Sequence, residues 1–504
     1  MAILMGIKMN EVTNEKNVSV KLNSLFNIFA KLIWYLAPLI ISPYISRVLM
    51  PEGVGQFSYA NTIAIYFTLF IEFGFCNYGT KEISIHRESK EEYSKTFWSI
   101  FCSRILLTTI ALIVYSSLVF GNALSSVAST LIFVCLFPFI LASLFNIDFL
   151  FQGLERFKTL SFIMSFCRLC SIVAVFLFVK SPDDLYVYCL IASGVSFANV
   201  LLQWCFAWKL ITKPHIKDIS IWKSLRSSVV YFIPTVAISI YTMLDKTMIA
   251  SIAGNTENGY YEQASKITNV ATNLIFAIYP VILSRISFLT SQKDKEAIDQ
   301  KFVQLAQIQG LLAFPSILGI YAVGQYFVPA FFGESFTPSI SILYWIAPVI
   351  FIGSVSGAMQ SAYFIPNGKL RTMTIIYFIG AFTNFGLNFI FIKKWGAVGA
   401  AITTLISESI ISLLMILLAH KEIPYKAILK AYIKPFIAAI IMFLVIFVLN
   451  YFCLSKTNLN NVYLAVIEIA IGIVVYGICV VFLKEPMVCS TLKTIKTKIL
   501  KKVN

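Results

Sequence analysis

Long apolar stretches separated by short polar breaks run along almost the whole chain, from Leu22 to Leu483. There are about fourteen of them, each about long enough to cross the hydrocarbon core of a bilayer as a helix. None shows the alternation of apolar and polar residues that is typical of strands. No polar break exceeds about twenty residues, too few for an independent soluble domain. The pattern therefore predicts an all-α, polytopic membrane protein, because helices satisfy their own backbone hydrogen bonds in lipid.

The pattern also gives the boundaries of the spans and of the segments around them. The predicted spans are 22–45, 57–77, 97–120, 127–150, 159–179, 185–208, 227–251, 260–284, 302–331, 338–362, 372–392, 397–419, 432–451 and 462–483. We group them into an N-terminal six-helix half (22–210), a C-terminal six-helix half (227–419) and an extra helix pair (420–483). The remaining segments are a cytosolic N-terminal tail (1–21), a cytosolic linker (211–226) and a basic cytosolic tail (484–504).

Lysine and arginine collect in every second loop. One set of loops, together with the terminal segments, holds about thirty of these residues, and the other set holds about five. Cytoplasmic loops of membrane proteins retain Lys and Arg, so we expect both termini in the cytoplasm. The same distribution accounts for the net charge of +16. Because that charge is spread over loops and is not clustered on a soluble face, no nucleic-acid partner is expected.

No motif of a soluble enzyme stands out. The chain has no GxxxxGK[ST] phosphate loop and no GxGxxG after a strand. The three histidines, His86, His215 and His420, are far apart and lack the spacing of metal ligands. Cys167 and Cys170 form a CxxC, but on a predicted membrane helix without the loop context of a redox or zinc site. We therefore expect neither catalysis nor a cofactor or metal ion.

Ionisable residues inside the predicted spans are the main candidates for function, because burying charge in hydrocarbon is costly and such groups usually face a cavity or a partner. They are Lys31, Glu72, Arg104, Asp148, Arg168, Asp245, Lys246, Lys266, Glu408 and Glu468. Simpler explanations stay open for several. Lys31 and Arg104 could snorkel toward the interface, Asp245 and Lys246 could be a solvated helix end, and Glu468 could be a lone polar contact. Of all these, Glu468 is the residue for which we least expect a function.

Two pairs of similar segments, one member of each pair in each half of the chain, indicate a two-part transporter, and we call each pair an echo. EGVGQFSYA (52–60) follows the first span and ENGYYEQA (257–264) follows the seventh, each predicted as a turn that enters the next helix. QGLERFK from Gln152 and PNGKLR from Pro366 are both predicted cytoplasmic hairpins. Six spans per half give the halves the same orientation, which is a parallel repeat with the substrate bound near mid-membrane in a central cavity between them.

Several longer stretches resemble a known family. They are SRVLMPEGVGQFSYANTIAIYF from Ser46, FGFCNYGTKEIS from Phe73, FQGLERFK from Phe151, LDKTMIASIAGNTENGYYEQASKI from Leu244, and NGKLRTMTIIYFIGAFTNFGLNFIFIKKWGAVGAAITTLISE from Asn367. Together they are similar to the Wzx-type O-antigen flippases, in the polysaccharide-transport branch of the multidrug, oligosaccharidyl-lipid and polysaccharide exporter superfamily. The resemblance runs from about Leu22 to Ala419.

The resemblance implies translocation of undecaprenyl-diphosphate-linked oligosaccharide repeat units from the cytoplasmic to the periplasmic leaflet of the bacterial inner membrane, by alternating access, for O-antigen or capsule assembly. A diphosphate suits fixed cations, and the candidates are Lys31, Arg104, Arg168 and Lys266. An ion gradient is the hypothesised energy source, with Asp245, Glu408, Asp148 and Glu72 as carriers unless each only neutralises a neighbouring cation. The candidate sugar contacts include Asn384, Asn388 and Gln360. Membrane lipids, a polysaccharide polymerase and a chain-length regulator are the candidate partners.

Three other functions stay open. The extra helix pair also fits a lipid II flippase, although that pair contributes almost no inward charge. A multidrug exporter is disfavoured because a cationic drug should avoid so many buried Lys and Arg residues. A membrane polysaccharide polymerase should carry its catalytic residues on a long loop, and no loop here is long enough.

Overall fold

The structure, a computed structural model, describes residues 39–213, 218–452 and 459–491. These residues form helices and turns, with no strand among them. Within this part of the chain, 11 helical stretches are long and apolar enough to cross a membrane. The prediction of an all-α, polytopic membrane protein is therefore confirmed. The chain divides into two compact units, residues 1–239 and 240–504.

The first unit contains α1 to α8 and the beginning of α9. Its described helices are α1 (39–72), α2 (Phe75–Ile85), α3 (Lys90–Phe120), α4 (Thr130–Cys135), α5 (Phe137–Phe145), α6 (Asp148–Gly153), α7 (Phe157–Phe178), α8 (Leu185–Ala207) and α9 (Ile221–Ile252). Aromatic side chains, among them Phe97, Phe149 and Trp204, form much of the core between α2, α3, α6 and α8. This core holds the start of α6 beside the middle of α3. Arg104 on α3 and Asp148 on α6 lie there.

The second unit contains the end of α9 and all later helices. They are α10 (Asn255–Phe276), α11 (Tyr279–Ser291), α12 (Lys295–Phe332), α13 (Ser339–Ile346), α14 (Val349–Met359), α15 (Leu370–Ala419), α16 (Tyr425–Phe452), α17 (Asn461–Phe482) and α18 (486–491). A π-helical turn, Gln360–Phe364, continues α14. The extra pair of predicted spans corresponds to α16 and α17, and both pack against α12.

The 11 membrane-spanning stretches are compatible with fourteen predicted spans because some stretches cover more than one span. Leu39–Ile85 contains the end of the first predicted span and all of the second, and residues 22–38 of the first lie outside the described residues. Leu370–Ala419 covers the eleventh and twelfth, and Gly396, with φ 56° and ψ −136°, interrupts it. The seventh lies within α9, a helix of 32 residues that is additional to the 11.

The segments of the first echo are helical, so they are not turns as the sequence suggested. A residue with positive φ stands just before each of them, Met50 (φ 58°) and Gly254 (φ 96°). Residues 52–60 and 257–264 then continue as helix. Glu257 lies in the first turn of its helix, where a carboxylate is favoured by the helix dipole, whereas Glu52 lies within a longer helical stretch.

The segments of the second echo do form turns, and each is held by a surface ion pair. Glu155, with φ 57°, bonds to Arg87 at 2.8 Å between Oε1 and Nη1. Lys369, next to Gly368 with φ 68°, bonds to Glu422 at 3.1 Å. A hydrogen bond from Tyr363 and the nearby Lys369 ammonium lower the pKa of the Glu422 carboxyl. The two hairpins thus share both a left-handed residue and an ion pair.

Candidate functional site

Arg104 is almost completely buried in the first unit. It lies on α3 with 1% of its surface exposed, and its guanidinium donates to the carboxylate of Glu72 at 2.6 Å. It also donates to the backbone carbonyl of Asn146. The rings of Phe75 and Phe149 lie 5.7 and 5.4 Å from the guanidinium carbon, close enough for cation–π attraction. Packing and a counter-charge therefore hold this cation in place, and it does not snorkel.

Asp148 lies beside this pair, at the first residue of α6. Its Oδ1 accepts a hydrogen bond from Gln203 at 2.8 Å, and its backbone N–H donates to the side chain of Asn146 at 2.9 Å. We call Glu72, Arg104, Asn146, Asp148 and Gln203 the Arg104 cluster. With both carboxyls ionised, the cluster holds two negative charges and one positive charge. The side chain of Glu72 is 25% exposed, so the described residues of the first unit do not enclose the cluster completely.

Arg168, the other predicted cation of the first unit that the structure describes, makes no ion pair with this cluster. Arg168, on α7, is half-buried and forms no ion pair with a described carboxylate. The Nε atoms of Arg168 and Arg104 are both buried without a hydrogen-bond acceptor in the part of the chain that the structure describes. Each arginine therefore keeps one N–H donor available. Lys31 lies outside the described residues.

In the second unit, Asp245 is the centre of a buried polar network. The residue lies on α9 with 3% of its surface exposed. Its carboxylate accepts hydrogen bonds from Tyr261 and from Asn388, both at 2.7 Å, and from Thr404. Asn388 also donates to Asn384 at 3.1 Å. Among the described residues, neutral donors and not a cation satisfy this carboxylate, and it is not a solvated helix end.

Lys266 is paired through a glutamate that it shares with Lys246. The two ammonium groups lie 3.5 and 2.8 Å from the carboxylate of Glu262, and all three side chains are partly exposed. Two positive charges and one negative charge leave a net positive charge at this point of α9 and α10. Lys266 is therefore part of a small ionic group formed by α9 and α10.

The remaining candidates lie around α14 and α15. Glu408 is half-buried on α15, with one carboxylate oxygen 3.5 Å from the hydroxyl of Ser356. Gln360 accepts a hydrogen bond from Tyr377 at 2.8 Å. Since Asn388 is bonded to Asp245 and Gln360 to Tyr377, at least two of the three amides expected to contact sugar already have protein partners.

Glu257, which was not among the predicted site residues, joins two helices of the second unit. One of its carboxylate oxygens accepts the backbone N–H of Ala397 at 2.8 Å, directly after the interruption at Gly396. It thus satisfies a backbone donor at the start of the second half of α15, where an N-terminal carboxylate is favoured. Glu257 explains why an acidic residue stands in the echo at 257–264.

Sequence reasoning missed several residues of these clusters. Gln203, Tyr261 and Thr404 come from helices distant along the chain, so nothing local reveals their partners. The ion pair of Glu262 and Lys266 could have been predicted from the sequence, since acidic and basic residues four apart face each other on a helix.

Comparison with known proteins shows the family to which the chain belongs. Residues 20–289, just over half of the chain, match a family described as "Polysaccharide biosynthesis protein". A protein of Escherichia coli K12 named "Putative O-antigen transporter" is 26% identical over 416 residues, covering 81% of this chain and 99% of that protein.

Solved structures show the fold. The structure "Lipid II flippase MurJ, inward closed conformation" has a TM-score of 0.71 at 19% identity, covering 93% of this chain and 99% of that one. An inward-facing multidrug-resistance MATE transporter has a TM-score of 0.61 at 12% identity, covering 80% of this chain and 96% of that one. At these identities the likeness establishes the fold alone.

Proposed function

Since the chain belongs to the polysaccharide biosynthesis protein family, we propose that it is a flippase for lipid-linked oligosaccharide repeat units. The substrate is an undecaprenyl-diphosphate-linked oligosaccharide, moved from the cytoplasmic to the periplasmic leaflet of the bacterial inner membrane for O-antigen or capsule assembly. The observation that carries the proposal is the alignment with the Escherichia coli relative, which covers 99% of that protein. The distribution of Lys and Arg supports a topology with both termini in the cytoplasm.

Arg104 and Arg168 are the proposed contacts of the diphosphate. Each has a buried Nε–H without an acceptor among the described residues, and phosphate oxygens are strong acceptors for the planar guanidinium. In this structure Nη2 of Arg104 is already paired with Oε2 of Glu72, at 2.6 Å. A diphosphate would therefore compete with the Glu72 carboxylate for the same donors. The net positive group around Lys266 is a second proposed anion contact.

This competition suggests how an ion could be coupled to transport. Protonation of Glu72 removes its charge and weakens its bond to Arg104, which frees the guanidinium for the substrate. Asp148 lies in the same cluster and is the next candidate carrier, while Asp245 and Glu408 are the candidates of the second unit. A flipping assay in proteoliposomes across imposed pH and sodium gradients tests coupling. Loss of the response in Glu72→Gln, with flipping retained, is expected, and a rate indifferent to both gradients would remove the ion-coupling idea.

The proposed function is tested by deleting the gene in its native host. Lipid-linked repeat units should accumulate in the cytoplasmic leaflet, and wild type should rescue. Arg104→Lys and Arg168→Lys keep the charge and remove the guanidinium fork, so we expect poor rescue by either, whereas the exposed Arg371→Lys is the matched control and should rescue fully. Polymer synthesis that continues without accumulation would refute the proposal. Rescue of a strain depleted of MurJ would favour a lipid II flippase instead.

A further inference from the structure

An apolar cavity of about 620 Å³ lies in the second unit between α12, α16 and α17. Glycines create much of this space. Gly319 faces α16 across the cavity, and a Cβ at Gly477 would meet no atom within 4 Å. A Cβ at Gly472 would come within 3.1 Å of Ile446 on α16. The lining is otherwise mostly aliphatic and aromatic. Its lining includes no residue of the Arg104 cluster or of the network around Asp245.

Glu468 is the only charged residue among the described residues that line the cavity. It is 1% exposed, and neither carboxylate oxygen has a hydrogen-bond partner among the described residues. The other two polar side chains of the lining are already bonded: the hydroxyls of Ser316 and Tyr476 donate to the carbonyls of Leu312 and Leu311, at 2.6 and 3.1 Å. An unpaired buried carboxyl is costly, so Glu468 is suited to a ligand that donates to it from within the cavity.

The surroundings limit what that group can be. A metal ion needs several further ligands, and the lining offers no other carboxylate, imidazole or thiolate. A hydrocarbon chain alone would fill the cavity but would leave Glu468 without a donor. The diphosphate of the proposed substrate would place anions against a carboxylate. A protonated amine on an apolar body fits both features, because the amine donates to Glu468 and the body fills the apolar cavity.

We propose that this cavity binds an amphiphilic monocation, whose single protonated amine donates to Glu468 and whose apolar body fills the space between α12, α16 and α17. We assign it to a soluble amphiphilic amine and not to an aminophospholipid. Glu468 lies seven residues after Asn461, about 10 Å along the axis of α17. A phospholipid amine could reach it only by drawing its own phosphate into the apolar cavity. The proposal does not depend on the flippase function.

The test is a binding titration on the purified full chain in detergent. Monodansylcadaverine has one primary ammonium on an apolar fluorophore whose emission shifts to the blue in an apolar site. Its N-acetylated form has the same body without the charge and serves as the matched probe. We expect Glu468→Gln to weaken binding of the amine at least tenfold and to leave the weaker binding of the acetylated probe unchanged. Glu334→Gln, which alters an exposed acid of the same unit, should bind both probes like wild type.

A second variant and a competitor complete the test. Gly472→Leu should fill the cavity and abolish binding of both probes, while its melting temperature shows whether it folds. Mixed micelles with phosphatidylethanolamine should not displace the amine more than those with phosphatidylcholine, and stronger displacement would overturn the assignment to a soluble amine. Equal affinity of wild type and Glu468→Gln for the amine, or no binding by wild type, would overturn the proposal.

Discussion

The charged residues of the two units are stabilised in different ways. Arg104 has an ionic partner and two aromatic rings, whereas the described partners of Asp245 are neutral donors. Removal of one member of a buried pair leaves the other unsatisfied, which generally costs more than the pair contributes. These two environments therefore predict different responses to substitution.

Glu72→Gln should destabilise the protein through the charge it leaves on Arg104. Because Glu72 is partly exposed and water can replace some of the lost interaction, we expect a loss of about 1–3 kcal/mol in the free energy of unfolding. Thermal melting in detergent measures it. In a double-mutant cycle, Glu72→Gln with Arg104→Gln should lose less than the sum of the single losses. Simple additivity would show that the pair contributes nothing.

Asp245→Asn should be more harmful than removal of one of its donors. The substitution exchanges an acceptor oxygen for an NH₂ group that faces donors, so a loss of about 1–3 kcal/mol is expected. Tyr261→Phe removes a hydroxyl that donates to Asp245 and lies 3.4 Å from the Thr404 hydroxyl, and it should cost about 1 kcal/mol because Asp245 keeps its other donors. The same melting assay compares them. A larger loss in Tyr261→Phe than in Asp245→Asn would contradict our description of the network.

At the scale of elements, the interruption of α15 depends on a residue without a side chain. Gly396 has a positive φ, and a Cβ there would lie 2.6 Å from the carboxylate oxygen of Glu257. The carboxylate that caps Ala397 would have to move. The break and the cap are therefore one feature formed by two helices.

Gly396→Ala should thus destabilise the protein by about 1–3 kcal/mol, through backbone strain and displacement of the cap. Gly386→Ala, on the same helix, is the matched control because its added Cβ meets nothing within 4 Å. It should stabilise by up to about 1 kcal/mol, since alanine is favoured over glycine within a helix. The melting temperatures of the two variants relative to wild type test this prediction. Equal shifts in both variants would mean that the interruption of α15 needs no glycine.

At the scale of the whole molecule, the distribution of positive charge predicts which loops face the cytoplasm. Lys293, between α11 and α12, belongs to a basic loop, and Asn122, after α3, belongs to a loop without Lys or Arg. Single cysteines at these positions, in a background without the 10 native cysteines, should react differently with an impermeant maleimide on intact spheroplasts. Asn122→Cys should be labelled, and Lys293→Cys only after lysis. The opposite pattern would invert the proposed topology.

The sequence was sufficient for the class of fold because hydrocarbon permits few alternatives to helices. The segments from Gln152 and Pro366, predicted as hairpins, also form turns in the structure. The partners of the buried charges were not predictable in the same way. Glu72 meets Arg104, and Asp245 meets Asn388, only because distant helices pack together. Where the partner was local, as for Lys266, sequence spacing alone would have sufficed.

The π-helical turn at Gln360–Phe364 has a consequence for how the family varies in length. Such a turn closes one residue later than an α-helical turn. Deleting a single residue within it would restore the α-helical bonding and leave the flanking segments facing the same neighbours. The same deletion elsewhere in a helix would rotate everything beyond it by about 100°. Relatives that are one residue shorter should therefore be found with their gap at this turn.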